Sequence, residues 1–473
     1  MSTIHDAYPE YVKTRGLDEL RASEYSYLDE QGHVYLDYTG AGLAAHAQYR
    51  AHQARSLGTT YGNPHSLSPT SQSSTDMVEL VRTRVLSHLN ASPEEYAFIF
   101  TANATGAMRL VGESYPFRRG SRLVLTSDNH NSVNGLRMYA KRAHARTTYI
   151  RTRAPELRID TATVAAALPR RRSRRFGSPR RSLFAYPAQS NFTGVRHPLS
   201  WVSLAQERGY DVLLDAAAYL PTGMLDLSSV KPEFVAISWY KLFGLPTGVG
   251  CLVALSRLNR PWFSGGTISA ASVGVPWHAM AVNEAAFEDG TLNFLSIPDV
   301  KVGLDWLSSI GIDVIASRVR CLTGWFLDCL QSLQHSNGIS MATVYGPNDL
   351  DHRGGTVSFN LVDATGNLID ERLVAMEAAA ARFSIRTGCF CNPGAGEDAF
   401  GIDARTLKPL KQARTKSMEE FVRLVKLPSA GAVRVSFGVA SIVDDVDFFI
   451  AFLKQTYRDR VTTTVGLPLR DGC

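Results

Sequence analysis

The chain has 473 residues, 45% of them hydrophobic and 20% charged, with 50 Lys and Arg against 44 Asp and Glu and a formal net charge of +6. That is apolar material for a large core and more than one domain, and the absence of any apolar run of about 18 residues excludes a spanning helix. Neither a membrane nor a nucleic-acid partner is expected, and six cysteines without framework spacing exclude a disulfide scaffold and point to a reducing cytoplasm.

The segment from Met1 to Glu10 has no apolar core and carries acidic residues early, so neither a secretory signal nor a transit peptide is expected. Short apolar, β-rich runs then recur at Tyr96 to Phe100, Arg122 to Thr126, Ser182 to Tyr186, Asp211 to Leu214, Phe234 to Ser238 and Gly250 to Leu255, with helical stretches between them. This alternation predicts an α/β domain built on a mostly parallel sheet, with ligands expected beyond the C-terminal ends of the strands. Between Pro169 and Arg181 the chain packs seven arginines. A self-repelling, solvated loop is the plain reading of that run, with docking of an acidic partner or anionic substrate, or a nuclear-localisation-like signal, as alternatives. From about residue 300 the pattern changes to a long helical stretch through Val302 to Leu333, a strand at Thr356 to Leu361, a helix near Ile369 to Ala381 and a strand at Ala432 to Phe437. The expectation is a second, smaller α+β domain. Cys251, Cys321 and Cys329 read as buried small hydrophobes, and Cys473 as a terminal thiol without a role.

Two positions carry chemistry by their context. In Ile237-Ser238-Trp239-Tyr240-Lys241-Leu242-Phe243-Gly244-Leu245-Pro246-Thr247-Gly248 an apolar strand runs straight into a small-residue turn, where a lysine can serve as a Schiff-base nucleophile. About one βα unit earlier, Asp211-Val212-Leu213-Leu214-Asp215-Ala216-Ala217-Ala218 ends an apolar run in a carboxylate, the group that keeps the ring nitrogen of pyridoxal phosphate (PLP) protonated. The stretch Phe98 to Met108 has the strand, small-residue turn and helix start that suit a phosphate, with the Thr105 hydroxyl as a further donor. Cys389-Phe390-Cys391, flanked by Gly388, Pro393, Gly394 and Gly396, reads as a thiol on a loop expected to be mobile. Zinc is the competing reading of Cys-x-Cys, but no second Cys or His pair nearby completes four ligands.

These segments, with Arg386-Thr387-Gly388-Cys389-Phe390-Cys391-Asn392-Pro393-Gly394, resemble the aminotransferase-like domain of molybdenum cofactor sulfurases, within the class V, NifS-like cysteine desulfurases. Further matches are Tyr35-Leu36-Asp37-Tyr38-Thr39-Gly40-Ala41, Gly62-Asn63-Pro64-His65-Ser66, Asp128-Asn129-His130-Asn131-Ser132-Val133 and Tyr186-Pro187-Ala188-Gln189-Ser190-Asn191-Phe192-Thr193-Gly194-Val195, and the resemblance runs from about residue 30 to 450. It implies a type I PLP-dependent transferase fold divided as 1–30 (a segment joining the small domain), 31–299 (the large, PLP-binding domain) and 300–473 (the small domain, with the Cys389/Cys391 loop). Thr105 and Ser238 would bind the cofactor phosphate, with Thr291 reaching the phosphate of a neighbouring subunit in a homodimer. His130 would stack on the ring, Asn191 would bond its phenolic oxygen, and Arg434 and Arg386 would bind the substrate carboxylate. Ala218 and Tyr240, where many desulfurases have Gln and His, resemble the molybdenum cofactor sulfurase branch.

The resemblance therefore implies a PLP-dependent cysteine desulfurase in which Lys241 acts as general base and Cys391, ahead of Cys389, takes the sulfur of L-cysteine as a persulfide with release of alanine. Eukaryotic members carry a further C-terminal molybdenum-cofactor-binding domain, and this sequence ends just past the PLP domains. The acceptor stays open between molybdenum cofactor on a separate protein, a sulfur carrier and a biosynthetic intermediate. A C–S lyase or aminotransferase with Cys391 incidental is the alternative. A scaffold protein using the arginine-rich loop is the reading from outside enzymology.

Overall fold

The computed structural model describes residues 3–64, 66–170, 181–255, 258, 260, 262–408, 418–425 and 431–470. His65, Cys473 and residues 171–180 of the arginine-rich segment lie outside the described residues.

Seven strands make the main sheet: β1 (Ala97–Thr101), β2 (Arg122–Thr126), β3 (Arg146–Ile150), β4 (Leu183–Pro187), β5 (Asp211–Asp215), β6 (Phe234–Ser238) and β7 (Gly250–Ala254). Their spatial order is β1-β7-β6-β5-β4-β2-β3. Neighbours pair in parallel except at β7, which runs antiparallel to both β1 and β6. β4, β6 and β7 are buried along their whole length, which is why they read as unbroken apolar runs; both faces of the sheet are covered. Alternate residues serve different cores. Leu123, Leu125, Leu213 and Leu252 pack on one face, whereas Val124, Val212, Leu214 and Val253 join the larger core on the other.

A second sheet is antiparallel: β8 (Ala342–Tyr345), β9 (Thr356–Leu361), β10 (Arg386–Gly388) and β11 (Ala432–Ser436), in the order β8-β9-β11-β10. The single helical stretch expected over Val302 to Leu333 is instead two helices, Ile297–Ile310 and Ile312–Ser332. Gly311 breaks them with φ +93°, a conformation open to glycine without steric cost. Val34 and Tyr35 pair in parallel with Phe383 and Ser384 in a separate two-stranded sheet, and Asp37 bridges to Ser436 of β11, which stitches this N-terminal strap to the second sheet. Four helices begin just past strand ends and position the site: α1 (Ala104–Ser114), α2 (Asn131–Asn134), α3 (Trp239–Phe243) and α4 (Pro393–Ala399). Among the described residues no helix is long and apolar enough to cross a membrane.

Candidate active site

Lys241 lies in α3, three residues past the end of β6. The extended backbone of Ser238 turns the chain out of the sheet, and Gly244 ends the helix at φ +77°. The N-terminal strap packs directly on this turn: Gly42 donates its N–H to the Tyr240 carbonyl at 3.0 Å. A Cβ on Gly244 would fall 2.4 Å from the Ala44 nitrogen, so glycine is required there by both conformation and space.

Burial pushes the Lys241 ammonium below its usual value of 10.5; the Asp215 carboxylate opposes this and the Arg434 charge adds to it. The folded-state value lies below that of an exposed lysine, so at any pH between the two a larger fraction of Lys241 is the free, nucleophilic amine. In cofactor-free protein, PLP capture at Lys241, trapped by borohydride and mapped by mass spectrometry, should reach half its maximal rate at lower pH than capture at the exposed lysines. A midpoint at or above theirs would show that the amine is not depressed.

Six of the expected residues line one cavity of about 320 Å³: Thr105, His130, Asn191, Asp215, Ser238 and Lys241. Each stands at or just past the C-terminal end of a strand, as open α/β sheets dictate. Ala218 and Tyr240 line it too. At the start of α1 the Asn103 side chain caps the Gly106 N–H at 2.9 Å, and the Thr105 hydroxyl lies 2.7 Å from that of Ser132. The Asp215 Oδ1 accepts the Ala217 N–H at 3.0 Å, while Oδ2 has no hydrogen-bond partner among the described residues. A ring-nitrogen proton fits that free oxygen. His130 both faces the cavity and caps α2, its Nδ1 accepting the Ser132 N–H at 3.1 Å, which puts the ring proton on Nε2. Burial, with the nearby Lys241 charge, holds its pKa below the usual 6.5, so the ring is neutral at neutral pH. A lysine, a free carboxylate oxygen, a neutral imidazole and hydroxyl donors near a helix start can together hold a phosphorylated pyridine aldehyde.

Asn191 has a second attachment. Its Nδ2 donates to the Phe390 carbonyl at 2.8 Å and its Oδ1 accepts from Asn392 Nδ2 at 2.8 Å, which leaves one amide hydrogen for a ring oxygen. Fully buried Asn392 also donates to the Asp128 carbonyl at 2.7 Å and caps α4. The Cys391 carbonyl in turn accepts the Asn131 N–H at 2.7 Å. Phe390 and Cys391 are both left-handed, with φ +54° and +52°. Two such non-glycine residues cost about 1–3 kcal/mol each, a cost these hydrogen bonds and the packing of Phe390 on Phe192 offset. Cys391 is a free thiol, whereas Cys389 is disulfide-bonded. The loop expected to be mobile is thus pinned to the wall of the cavity.

The carboxylate-binding candidates stand opposite each other. Arg386 on β10 pairs in register with Arg434 on β11. Asp37 of the N-terminal strap lies between them, 2.7 Å from Arg434 Nη2 through Oδ1 and 2.8 Å from Arg386 Nη2 through Oδ2. Arg434 Nη1 donates to the Asn191 carbonyl at 3.1 Å, so both of its terminal nitrogens already have partners. Thr291 is not in the lysine cavity; it lines a neighbouring one of about 290 Å³ beside Thr101 and Asp289.

Sequence reasoning missed Asp37 as a site residue, and also His197. The His197 Nε2 lies 2.8 Å from Asp128 Oδ2 in a fully buried pair stacked on Trp201, which fixes the backbone two residues before His130. Nothing in the sequence around His197 marks it.

A lysine and an aspartate facing one cavity at the C-terminal edge of an open, mostly parallel sheet, with an antiparallel sheet beside it, define a type I PLP-dependent transferase fold. The chain belongs to the aminotransferase class-V family, whose match covers residues 34–449. It is 36% identical to human molybdenum cofactor sulfurase over 93% of this chain and 51% of that protein, and 33% identical to the Arabidopsis thaliana molybdenum cofactor sulfurase over 95% and 59%. The chain thus spans about half the length of the curated relatives it matches. Among solved structures it is similar to the apo cysteine desulfurase of Thermococcus onnurineus NA1, with TM-score 0.75, 22% identity and coverage of 93% and 97% of the two chains. The Escherichia coli cysteine desulfurase CsdA aligns with TM-score 0.71, 20% identity and coverage of 93% and 98%.

Proposed function

We propose that the protein is a PLP-dependent cysteine desulfurase of the molybdenum cofactor sulfurase type, taking sulfur from L-cysteine onto Cys391 and releasing alanine. The observation that carries this reading is the double attachment of Asn191, which lines the cavity of Lys241, Asp215 and His130 and holds the Phe390 carbonyl next to Cys391. Cavity and thiol loop are one assembly.

Bound PLP would supply the electron sink for cleavage next to the substrate α-carbon. Thr105 and Ser238 would bind its phosphate, Asp215 Oδ2 would keep a proton on the ring nitrogen, His130 would cover the ring and Asn191 would donate to the phenolic oxygen. Lys241 would anchor the cofactor and, as a free amine, take the α-proton of the substrate, a task for which a depressed amine pKa suits it. Arg434 and Arg386 hold the substrate carboxylate. The Cys391 thiolate would attack the substrate sulfur: an S–S bond forms as the C–S bond breaks, the electron pair left on the β-carbon takes up a proton, Lys241 returns the α-proton, and the products are alanine and an enzyme persulfide.

The same reading takes the molecule as a homodimer in which Thr291 reaches the partner's phosphate. It divides the chain at 30 and 299, and places it in the cytoplasm. The acceptor is molybdenum cofactor or a sulfur carrier. Incubation of PLP-loaded protein with L-cysteine should yield alanine and protein-bound sulfane sulfur in equal amounts. Pyruvate and free sulfide without bound sulfane sulfur would instead identify a C–S lyase.

A further inference from the structure

The strands β10 and β11 set two like charges side by side. Arg386 and Arg434 are directly opposite across an antiparallel pair, an arrangement that is destabilising unless something neutralises it. Asp37 does so from a third element. Its residue surface is 7% exposed, and its two oxygens take separate partners, Oδ1 the Nη2 of Arg434 and Oδ2 both the Nε and Nη2 of Arg386. The chain turns so tightly here that a Cβ on Gly40 would sit 2.4 Å from Asp37 Oδ2 and 2.8 Å from Arg386 Nη2.

What the aspartate leaves unsatisfied is informative. Arg434 is almost fully buried and its Nε has no hydrogen-bond partner among the described residues, while the Arg386 side chain is half exposed. Two guanidiniums and one carboxylate leave a single net positive charge, with one buried donor unused on Arg434. That is the complement of one carboxylate.

We infer that Asp37 is a positioning and charge-matching residue: it holds both guanidiniums in register and cancels one of their charges, so that the site takes a single, oriented carboxylate and rejects dianions. The inference deepens the proposed function and rests on Arg434 as the substrate-carboxylate ligand. A salt bridge with a purely structural role would do neither; its loss would weaken every ligand together or none.

Asp37→Asn and Asp37→Glu separate charge from geometry, with inorganic sulfate as the dianionic probe. In PLP-loaded Asp37→Asn the cluster carries two positive charges and loses its alignment. The kcat/KM for L-cysteine should fall about tenfold or more, while sulfate, which needs charge more than orientation, should become a competitive inhibitor with a dissociation constant about tenfold below that of wild type. Calorimetric titration with sulfate should show the same tightening without turnover. Asp37→Glu keeps the charge but displaces it, so cysteine kcat/KM should fall while sulfate binding stays at the wild-type level; it decides the matter should Asp37→Asn not fold. Unchanged sulfate affinity in Asp37→Asn, or an Asp37→Glu enzyme indistinguishable from wild type, overturns the inference. Arg434→Ala tests the reading beneath it and should lower cysteine kcat/KM by about one to two orders of magnitude. No effect in Arg434→Ala removes the carboxylate site itself, whereas a normal loss there beside a silent Asp37 removes only the role of Asp37.

Discussion

Lys241→Ala should abolish covalent retention of the cofactor and lower alanine formation from L-cysteine by about two to four orders of magnitude, the range of a lost general base. Absorbance spectra before and after gel filtration, and intact mass after borohydride reduction, measure the two effects separately. The protein should still fold, because the lysine sits in a five-residue helix whose packing comes from the buried neighbours Trp239, Leu242 and Phe243. The phosphate and ring contacts remain, so weak, non-covalent PLP binding should survive. A Lys241→Ala protein that still carries a borohydride-stable PLP adduct at one site would place the anchoring lysine elsewhere.

Cys391→Ala should remove protein-bound sulfane sulfur altogether and lower alanine release by on the order of 10³-fold or more, the scale of losing a nucleophile that acts as part of a unit. L-Cysteine should still perturb the cofactor spectrum, since no residue of the ring cavity is touched. Cys389→Ala should keep part of the activity, because its sulfur is held in a disulfide whereas that of Cys391 is free. Equal alanine release from wild type and Cys391→Ala would make the thiol incidental and favour lyase chemistry. Asn392→Ala offers a graded version: with the left-handed turn at Phe390 and Cys391 no longer braced, persulfide formation should fall more than cofactor binding.

Much of this arrangement is written locally. Lys241 and Asp215 stand out because a buried strand ending in a charged residue and a small-residue turn is a local pattern, and β2 and β6 keep the bounds their apolar runs indicate. β3 was not legible: Arg146, Thr147, Thr148 and Tyr149 are partly or fully exposed at the sheet edge, so the segment lacks an apolar run. The break at Gly311 was hidden because the residues on both sides keep a helical period. Asp37 belongs to a recognisable motif, yet its role depends on a strand register between Arg386 and Arg434 that no local pattern encodes. His197 was invisible for the same reason, its partner Asp128 being 69 residues away. The pinning of the Cys391 loop depends on the side chains of Asn191 and Asn392 and the backbone N–H of Asn131, from three separate segments, and glycine and proline content alone pointed toward mobility instead.

The strap that carries Asp37 also sets an order of assembly. Asp215 ends β5 and Lys241 lies just past the neighbouring β6, 26 residues on, whereas Asp37 and Arg434 are separated by 397 residues. Loop-closure entropy rises only slowly with such lengths, by about 0.6 kcal/mol per doubling, so equilibrium stability suffers little; the delay is kinetic, because distant partners must wait for one another. During synthesis Asp215 and Lys241 emerge well before Arg434, which must then meet Asp37, translated before either of them. Of these four residues the first and the last to be translated are the two that must pair, so on the proposed reading the groups assigned to the cofactor are made before the Asp37–Arg434 pair assigned to the substrate carboxylate can close.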